Sequence, residues 1–321
     1  MGGRGTRGPE YTAARSAFDR ASATYDAAAT LQADVRSALI ERLDRAGAHP
    51  ETVLDLGAGT GQGAYELKSR YPQASVVAVD FAPRMLLEAQ RRSTALNPFH
   101  SVCADALRLP LRSASVDVVF SSLMLQWCAP LDDAFSEIHR VLSPQGRLHF
   151  STLGPETLHE LRTAWAAADA FDHVNHFLCA AEIQLALQRA GLETVELQTE
   201  RIELVFADVL SVMRSLKAIG AQTVTRGRSP GLMGKARLRS MTEAYESFRK
   251  GGGLPMTYEV IFGAARRASA NPRAQDCKHA DDALAAQKTP GSGAPQAQPE
   301  GGLTPSSAAI VGAICAGVTG S

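Results

Sequence analysis

Hydrophobic positions follow two different periods along the first half of the chain. From about Ala13 to Ala46 they recur at helical intervals, and the pattern ends at Gly47, which predicts two helices. Short runs rich in β-branched residues then alternate with amphipathic stretches. The expected strands are TVLDL from 52, SVVAVDF from 75, SVCAD from 101, VDVVFSSL from 116 and RLHFSTL from 147. Strands that alternate with helices in this way predict an α/β fold whose parallel sheet is covered on both faces.

The pattern changes after Leu153. Helical periodicity is expected over about 155–170, 180–190, 207–220 and 233–248, and strand-like alternation over ETVELQTERIELVF (193–206) and TYEVIFGA (257–264). Two late strands that bracket helices predict an insertion folding over the sheet edge. Both ends of the chain lack periodic apolar positions, so we expect a disordered lead-in over 1–10 and a disordered tail over 268–321.

Charge and cysteine content exclude several classes of protein. The 321 residues carry 33 Lys and Arg against 33 Asp and Glu, so no global charge attracts nucleic acid or an anionic membrane. The five cysteines are widely spaced and form no C-x-x-C pair, which favours a reducing cytoplasm over a disulfide or zinc framework. The N-terminus has no apolar signal region, and the longest apolar run near the C-terminus, 308–318, is too short to span a bilayer.

The most informative stretch is the glycine cluster over 53–63, VLDLGAGTGQG, which follows a buried strand and opens a helix. Glycines there let the backbone turn sharply and approach a ligand, so a nucleotide-like ligand is expected at the strand end. A dinucleotide turn can be traced as Gly59-x-Gly61-x-x-Ala64, but Asp55 at the same strand end would repel a pyrophosphate. It would attract S-adenosylmethionine, which carries an ammonium and a sulfonium and no phosphate. A tight connection without a ligand is the remaining alternative.

Acidic residues end three successive strands. Asp80 ends the second, where a carboxylate can accept both ribose hydroxyls, as it would also do for NAD. Asp105 and Ala106 follow the third strand, in a position to meet the adenine amino group, although Asp105 alone could equally be a helix cap. Ser121 lies at the end of the fourth strand, near the expected sulfonium. Three carboxylates together favour the phosphate-free cofactor.

These segments resemble the class I S-adenosylmethionine-dependent methyltransferases. The resemblance covers about 11–267 and is carried by VLDLGAGTG, VVAVDFAPRML, the Asp105-Ala106 pair and VDVVFSSLMLQW. It implies a Rossmann-like, seven-stranded, mostly parallel sheet with a helical N-terminal lid and inserted helices at about 155–190 and 207–250. The residues that it implies for binding S-adenosylmethionine are Asp55, Gly57, Gly59, Gly61, Asp80, Met85, Asp105, Ala106 and Ser121.

Within that superfamily the chain is most similar to the malonyl-acyl-carrier-protein O-methyltransferases of biotin synthesis. The similar segments are FDRASATYDAAATLQ (18–32), LMLQWC (123–128), FSTLGPETLHELRTAW (150–165) and MRSLKAIGA (213–221). The family implies that the acceptor is the free carboxyl of malonyl carried on acyl carrier protein, which becomes a methyl ester. The tail from 268 has no counterpart in the family.

Such a methyl transfer needs little acid–base catalysis. A sulfonium methyl group is already activated, so the protein must chiefly place the acceptor oxygen in line behind it. A carboxylate with a pKa of about 4 is ionised at neutral pH and needs no general base. We therefore expect neither an indispensable proton acceptor nor a metal.

Four residues are candidates for binding the acceptor. Arg214 and Lys217 lie three apart on a predicted helix whose apolar stripe would face inward, and either cation would aim a carboxylate. Tyr25 is predicted to reach over the pocket from the N-terminal lid, and Gln126 follows the fourth strand, where loops contact ligands. The alternatives are two solvated charges on a helix surface and an aromatic residue in the core.

Positive charge is concentrated between 214 and 250. The segment has nine basic residues against Glu243 and Glu246, and they are Arg214, Lys217, Arg226, Arg228, Lys235, Arg237, Arg239, Arg249 and Lys250. Such a region would steer an acidic acyl carrier protein. RNA binding is disfavoured because no aromatic platform is interleaved, and a merely solvated face remains open.

Other functions are less well supported by the sequence. His173 and His176 lack a clear third ligand for a metal, and no G-x-S-x-G motif indicates a serine hydrolase. A methyltransferase acting on a small acid or a quinone-like phenol stays open, as does a non-catalytic assembly factor with this fold.

Overall fold

The computed structural model describes residues 9–47, 49–220 and 234–268, which form one sheet with helices on both faces. The strands are β1 (Thr52–Leu56), β2 (Ser75–Asp80), β3 (His100–Cys103), β4 (Val116–Ser122), β5 (Leu142–Leu153), β6 (Leu192–Phe206) and β7 (Leu254–Arg267). The helices are α1 (Pro9–Ala21), α2 (Tyr25–Ala28), α3 (Thr30–Arg45), α4 (Gln62–Arg70), α5 (Pro83–Arg92), α6 (Leu131–Val141), α7 (His159–Ala166), α8 (Ala180–Arg189), α9 (Val209–Ala218) and α10 (Lys235–Glu246). A 3₁₀ turn, Leu125–Trp127, follows β4.

The seven strands lie in the order β3-β2-β1-β4-β5-β7-β6. The first five are mutually parallel, and β7 is antiparallel to both of its neighbours. This is the seven-stranded, mostly parallel Rossmann-like sheet of the sequence prediction, which is confirmed. The strand order reverses beside β1, so a crevice opens at the carboxyl ends of β1 and β4, where ligands bind in open α/β sheets.

Alternate residues of the central strands face opposite layers of the core. On β4, Val118 and Phe120 belong to the apolar cluster that includes helix α3, whereas Val119 belongs to the cluster that includes α6. All three side chains are buried, because helices cover both faces. Central parallel strands therefore have nearly continuous runs of apolar residues, as β4 does here.

The late strands pair with each other along their whole length. β6 and β7 are antiparallel from Leu192 opposite Arg267 to Phe206 opposite Leu254, and α9 and α10 lie in the connection between them. The last strand is therefore longer than the 257–264 expected from the sequence. Gly263 permits close packing against β5, because a Cβ there would lie 2.2 Å from the Phe150 ring.

The N-terminal region contains three helices where two were expected. Helix α1 begins at Pro9, inside the segment that was predicted to be a lead-in. Ala29 separates the short helix α2 from α3. The remaining lead-in, 1–8, and the tail beyond 268 lie outside the described residues. Within 9–47, 49–220 and 234–268, none of the helices combines the length and apolar character needed to cross a bilayer.

Candidate active site

The glycine turn between β1 and α4 has the backbone that only glycine adopts readily. Gly57 and Gly61 have φ values of 79° and 81°. Space is as restrictive as conformation, because a Cβ on Gly57 would lie 2.2 Å from Met124 Cγ and one on Gly61 would lie 2.7 Å from Ala89 Cβ. The turn therefore depends on these glycines.

A cleft opens above this turn, with about 730 Å³ of space free of protein atoms that includes its opening to solvent. Six of the nine expected cofactor residues line it: Gly57, Gly59, Asp80, Met85, Asp105 and Ala106. Sequence analysis missed most of the other lining side chains, which include Tyr11, Phe18, Phe81, Leu123, Met124 and Cys128. Most of them lie in segments that carry the resemblance, such as LMLQWC (123–128), but the sequence pattern does not show which of their side chains face a ligand.

Asp80 is fixed by the backbone around it. Its Oδ2 accepts the N–H of Gly59 at 2.9 Å, and its Oδ1 accepts the N–H of Ala82 at 2.8 Å. An ionised carboxylate has about four acceptor positions, so each oxygen retains capacity for a ligand hydroxyl. Burial raises the pKa of Asp80 to about 6, although the backbone N–H donors stabilise the ionised carboxylate and act to lower the pKa. The group is therefore held rigidly and is ionised at neutral pH.

Asp55 is buried beside the cleft, in a side pocket that it shares with Arg36. Its Oδ2 has no hydrogen-bond partner among the described residues, and burial raises the pKa of this carboxyl to about 7. The space next to Oδ2 depends on Gly63, whose Cβ would lie 2.8 Å away. An unpartnered buried carboxylate fits a ligand with an ammonium group and does not fit a pyrophosphate.

Arg36 adds the opposite charge to the same pocket. The guanidinium extends from α3 and contacts the Glu66 carboxylate at 3.0 Å. With Asp55 it forms a pair of unlike charges that fits the amino acid tail of S-adenosylmethionine, which carries an ammonium and a carboxylate. Sequence analysis missed Arg36, because a lone Arg in an amphipathic helix has no distinguishing pattern.

Three expected cofactor residues lie outside the cleft wall. Asp55 lines the side pocket, and Gly61 packs against α5 at the start of α4. Ser121 is fully buried, and its Oγ donates to the carbonyl of Leu56 at 3.0 Å. Successive strand residues face opposite directions, so the neighbouring Ser122 lines the cleft instead.

Asp105 caps a turn in the cleft wall. Its Oδ1 accepts the backbone N–H of Leu107 at 2.9 Å. No helix begins here, so the helix-cap alternative for Asp105 is wrong.

Aromatic side chains from the N-terminal helices cover the cleft. The Tyr11 and Phe18 rings lie 5.2 Å and 5.9 Å from the ring of Phe81, and Phe18 also packs edge-on against Trp127 at 5.2 Å. Tyr25 lines the cleft and both adjoining pockets. Burial and the nearby Asp80 raise the pKa of Tyr25, so its hydroxyl stays protonated and can donate a hydrogen bond.

A second cavity adjoins the cofactor cleft, and we call it the acceptor chamber. It has about 680 Å³ of space free of protein atoms, which includes its opening to solvent. The two share the side chains of Phe18, Tyr25, Leu123 and Trp127. The other residues that line the chamber are Leu31, Gln32, Gln126, Leu153, Leu158, Val174, Asn175, Phe177, Leu216, Ile219 and Tyr258. The chamber is therefore mainly apolar and has neutral polar groups.

Gln126 lies in the chamber wall. Its Nε2 donates to the carbonyl of Leu123 at 2.6 Å, and its Oε1 accepts from Thr152 Oγ1 at 3.3 Å. The amide is thus held at both ends, and its second N–H remains available as a donor.

Arg214 and Lys217 are exposed on α9 and do not line the acceptor chamber. The buried face of this helix consists of Val209, Val212 and Leu216. Leu216 belongs to the chamber wall, so the two cations lie on the same helix as the wall but point away from the apolar face.

The two histidines of the 170–179 loop contact different carboxylates. His173 Nε2 lies 2.8 Å from Asp169 and its ring stacks on Trp165, whereas His176 Nε2 lies 3.5 Å from Asp172. In the part of the chain that the structure describes, no group of three His, Cys, Asp or Glu is arranged to hold a metal.

The geometry of Asp80 leads to the first prediction. Asp80→Ala removes the carboxylate that we assign to the ribose hydroxyls, so the Kd for S-adenosylmethionine should rise at least tenfold, about 1.4 kcal/mol. Isothermal titration calorimetry measures this directly. Asp34→Ala, an exposed carboxylate on α3, is the matched control and should bind normally. Unchanged affinity in Asp80→Ala would contradict the ribose role.

The raised pKa values of Asp55 and Asp80 predict that cofactor binding depends on pH. The cationic cofactor binds the ionised carboxylates, which protonate as the pH falls through about 7 and about 6. Affinity should therefore weaken by about tenfold or more between pH 8 and pH 5.5. Asp55→Asn should bind more weakly at pH 8 and lose the upper part of this dependence. A flat profile for the unmodified protein would contradict the assignment.

Comparisons with known proteins agree with this geometry. Residues 54–150 match the family model described as a methyltransferase domain. A crystal structure from Bacillus halodurans C-125, which bears a provisional methyltransferase assignment, superposes with a TM-score of 0.52. It is 19% identical in sequence and covers 72% of this chain and 99% of its own, so it shows the shared fold.

Relatives at higher identity define the family. The malonyl-[acyl-carrier protein] O-methyltransferase of Methylovorus sp. is 48% identical over 257 residues, which are 78% of this chain and 87% of the relative. The biotin biosynthesis bifunctional protein BioHC of Saccharophagus degradans is 41% identical over 253 residues, 76% of this chain and 44% of that protein. The chain therefore belongs to the malonyl-[acyl-carrier protein] O-methyltransferase family of S-adenosylmethionine-dependent methyltransferases.

Proposed function

We propose that this protein transfers a methyl group from S-adenosylmethionine to the free carboxyl of malonyl-acyl carrier protein. The product is the methyl ester that starts pimeloyl synthesis for biotin. The observation that carries the proposal is the wall shared by the cofactor cleft and the acceptor chamber, which Phe18, Tyr25, Leu123 and Trp127 form. A cofactor in the cleft and an acyl group in the chamber would meet at this wall.

The residues around the cleft divide among the parts of the cofactor. Asp80 would accept the ribose hydroxyls, and Asp105 and Ala106 would border the adenine. Asp55 and Arg36 would receive the ammonium and the carboxylate of the amino acid tail. With these assignments the sulfur would lie between the ribose and the tail, near Gly57, which lines both pockets.

The reaction forms one bond and breaks one. Bound S-adenosylmethionine supplies an activated methyl group, which passes to a malonyl carboxylate oxygen as its bond to sulfur breaks and S-adenosylhomocysteine is left. The acceptor is already ionised at neutral pH, so no residue has to remove a proton. Tyr25 and Gln126 would orient the carboxylate by hydrogen bonds, and the apolar chamber walls would exclude water.

Acyl carrier protein would dock near α9. Arg214, Lys217, Lys235 and Lys250 are exposed there, whereas three other cations of the 214–250 segment lie against carboxylates. These pairs are Arg237 with Asp169, Arg239 with Glu243 and Arg249 with Glu246. Arg226 and Arg228 lie outside the described residues. The effective positive surface is therefore smaller than the sequence count, and it is adjacent to the chamber through α9.

We also propose a cytoplasmic location. Among the described residues, Cys103 and Cys179 are free thiols, which fits a reducing compartment.

The methyl transfer itself is the direct test of this function. Purified protein incubated with S-adenosylmethionine and malonyl-acyl carrier protein should add one methylene to the carrier-bound malonyl group, as measured by mass spectrometry. Malonyl-coenzyme A, free small acids and phenols are the comparison acceptors. Intact cofactor binding with no product on the carrier would contradict the proposed substrate, and activity restricted to free acids or phenols would replace it.

The docking proposal predicts a selective loss. Arg214→Glu combined with Lys217→Glu should raise the KM for malonyl-acyl carrier protein about tenfold and leave the Kd for cofactor unchanged, because rim charges act on association. The difference should shrink at high salt. Arg112→Glu, an exposed cation distant in sequence, is the matched control. Equal effects of the two charge reversals would contradict docking on α9.

A further inference from the structure

Asp26 joins the N-terminal lid to the cofactor turn. This residue belongs to the short helix α2 and directly follows Tyr25, which lines the cleft and the acceptor chamber. Its Oδ1 accepts a hydrogen bond from Thr60 Oγ1 at 2.6 Å. Thr60 is buried in the glycine turn between Gly59 and Gly61. A single carboxylate oxygen thus connects the lid to the loop on which the cofactor would lie.

The other oxygen of Asp26 makes a charged contact with α5. Arg92 donates to Oδ2 at 2.6 Å, and its Nε donates to the carbonyl of Thr60 at 3.1 Å. Arg92 therefore bridges the same two elements, the lid and the glycine turn. Asp26, Thr60 and Arg92 form a closed triangle of hydrogen bonds, which we call the latch.

The lid has a second attachment at the opposite end of α5. Asp19 on α1 accepts the backbone N–H of Arg84 at 2.9 Å, in the first turn of α5. The lid is thus held to both ends of one helix. The aromatic contacts of Phe18 complete its packing, but the latch is the attachment nearest to Tyr25 and the only one of these that reaches the glycine turn.

We propose that Asp26 is a positioning residue that holds α2 closed over the cofactor and so sets how long the cofactor stays bound. Release requires α2 to move away from the glycine turn, and this movement breaks the contacts of Asp26 with Thr60 and Arg92. The inference rests on cofactor binding and is independent of which acceptor the enzyme methylates. Asp26 also lines the side pocket assigned to the amino acid tail, and in the latch it acts through Thr60 and Arg92.

Two features favour a role in retention over a role in folding alone. The Asp26 side chain is 40% exposed, and Arg92 is 28% exposed, so the pair lies at the surface of the cleft and outside the core. The aliphatic positions that anchor α3, such as Leu31 and Val35, are buried independently of it. Removing the carboxylate should therefore loosen α2 and leave the sheet intact.

The test measures dissociation of S-adenosylhomocysteine by stopped-flow displacement with excess S-adenosylmethionine. Asp26→Ala should raise the dissociation rate and the Kd at least tenfold, about 1.4 kcal/mol. The KM for S-adenosylmethionine should rise similarly, and kcat at saturation should change less than threefold. Hydrogen exchange should show lost protection over 9–28 only.

Two further variants separate the parts of the latch. Asp26→Asn keeps the acceptor for Thr60 and loses the ion pair, so its dissociation rate should fall between those of the unmodified protein and Asp26→Ala. Because the lost contact is ionic, Asp26→Asn should also lose the salt dependence of release. Arg92→Ala should increase the rate, and the double variant Asp26→Ala with Arg92→Ala should be no faster than Asp26→Ala alone.

The controls are Asp34→Ala and Arg91→Ala, which remove an exposed carboxylate of α3 and an exposed cation of α5 that pairs with Glu88 in its own helix. Both should release the cofactor at the normal rate. Unchanged dissociation in Asp26→Asn and Arg92→Ala would overturn the proposal, as would additive effects in the double variant. If Asp26→Ala does not fold, these two milder variants still decide the outcome.

Discussion

Two carboxylates buried at adjacent strand ends are the constraint on which this site depends. Asp55 and Asp80 each lose hydration on folding, and burial raises the pKa of each group. Asp80 recovers part of that cost through the N–H groups of Gly59 and Ala82, whereas one Asp55 oxygen has no hydrogen-bond partner in the part of the chain that the structure describes. A cationic ligand that carries its own hydrogen-bond donors relieves this cost, and a diphosphate increases it. The electrostatics thus select the class of cofactor before any shape is considered.

Burial of these carboxylates requires a cover, and the cover also defines the second substrate site. The sheet alone leaves the strand ends open to water, but α1 and α2 place Phe18 and Tyr25 over them. The same two side chains form part of the acceptor chamber wall. One N-terminal segment therefore covers the strand ends that carry both carboxylates and forms part of the walls of both cavities. The glycine turn by itself accounts for the cofactor cleft and not for the acceptor chamber.

The sequence predicted those parts of the site that follow from strand geometry. Asp80, Asp105 and the glycines could be located because carboxyl ends of parallel strands share one edge, and the resemblance named the family. Ser121 was placed one residue from the side chain that faces the cleft, because the pleat alternates direction and the end of a strand is uncertain by a residue. Arg36, Asp26 and Arg92 could not be predicted, since their roles come from contacts between helices distant in sequence. The expected cation in the chamber failed for a related reason: the buried face of α9 consists of Val209, Val212 and Leu216, and Arg214 and Lys217 are exposed outside this face.

The absence of a Lys or Arg among the described residues that line the chamber changes how the proposed acceptor is aimed. A carboxylate that enters an apolar cavity needs a positive partner, and the bound sulfonium is one at the point of attack. The electrostatic attraction then acts along the direction of the reaction, because the carboxylate oxygen is drawn toward the methyl group of the sulfonium that it must approach. A fixed arginine would hold the carboxylate equally well before and after alignment, and such uniform binding does not lower the barrier. Methyl transfer removes the charges of both partners at once, so the ester and S-adenosylhomocysteine lose their mutual attraction as soon as they form. The neutral donors Tyr25 and Gln126 are sufficient to set orientation in such a site, and the cations of α9 remain available for the carrier protein.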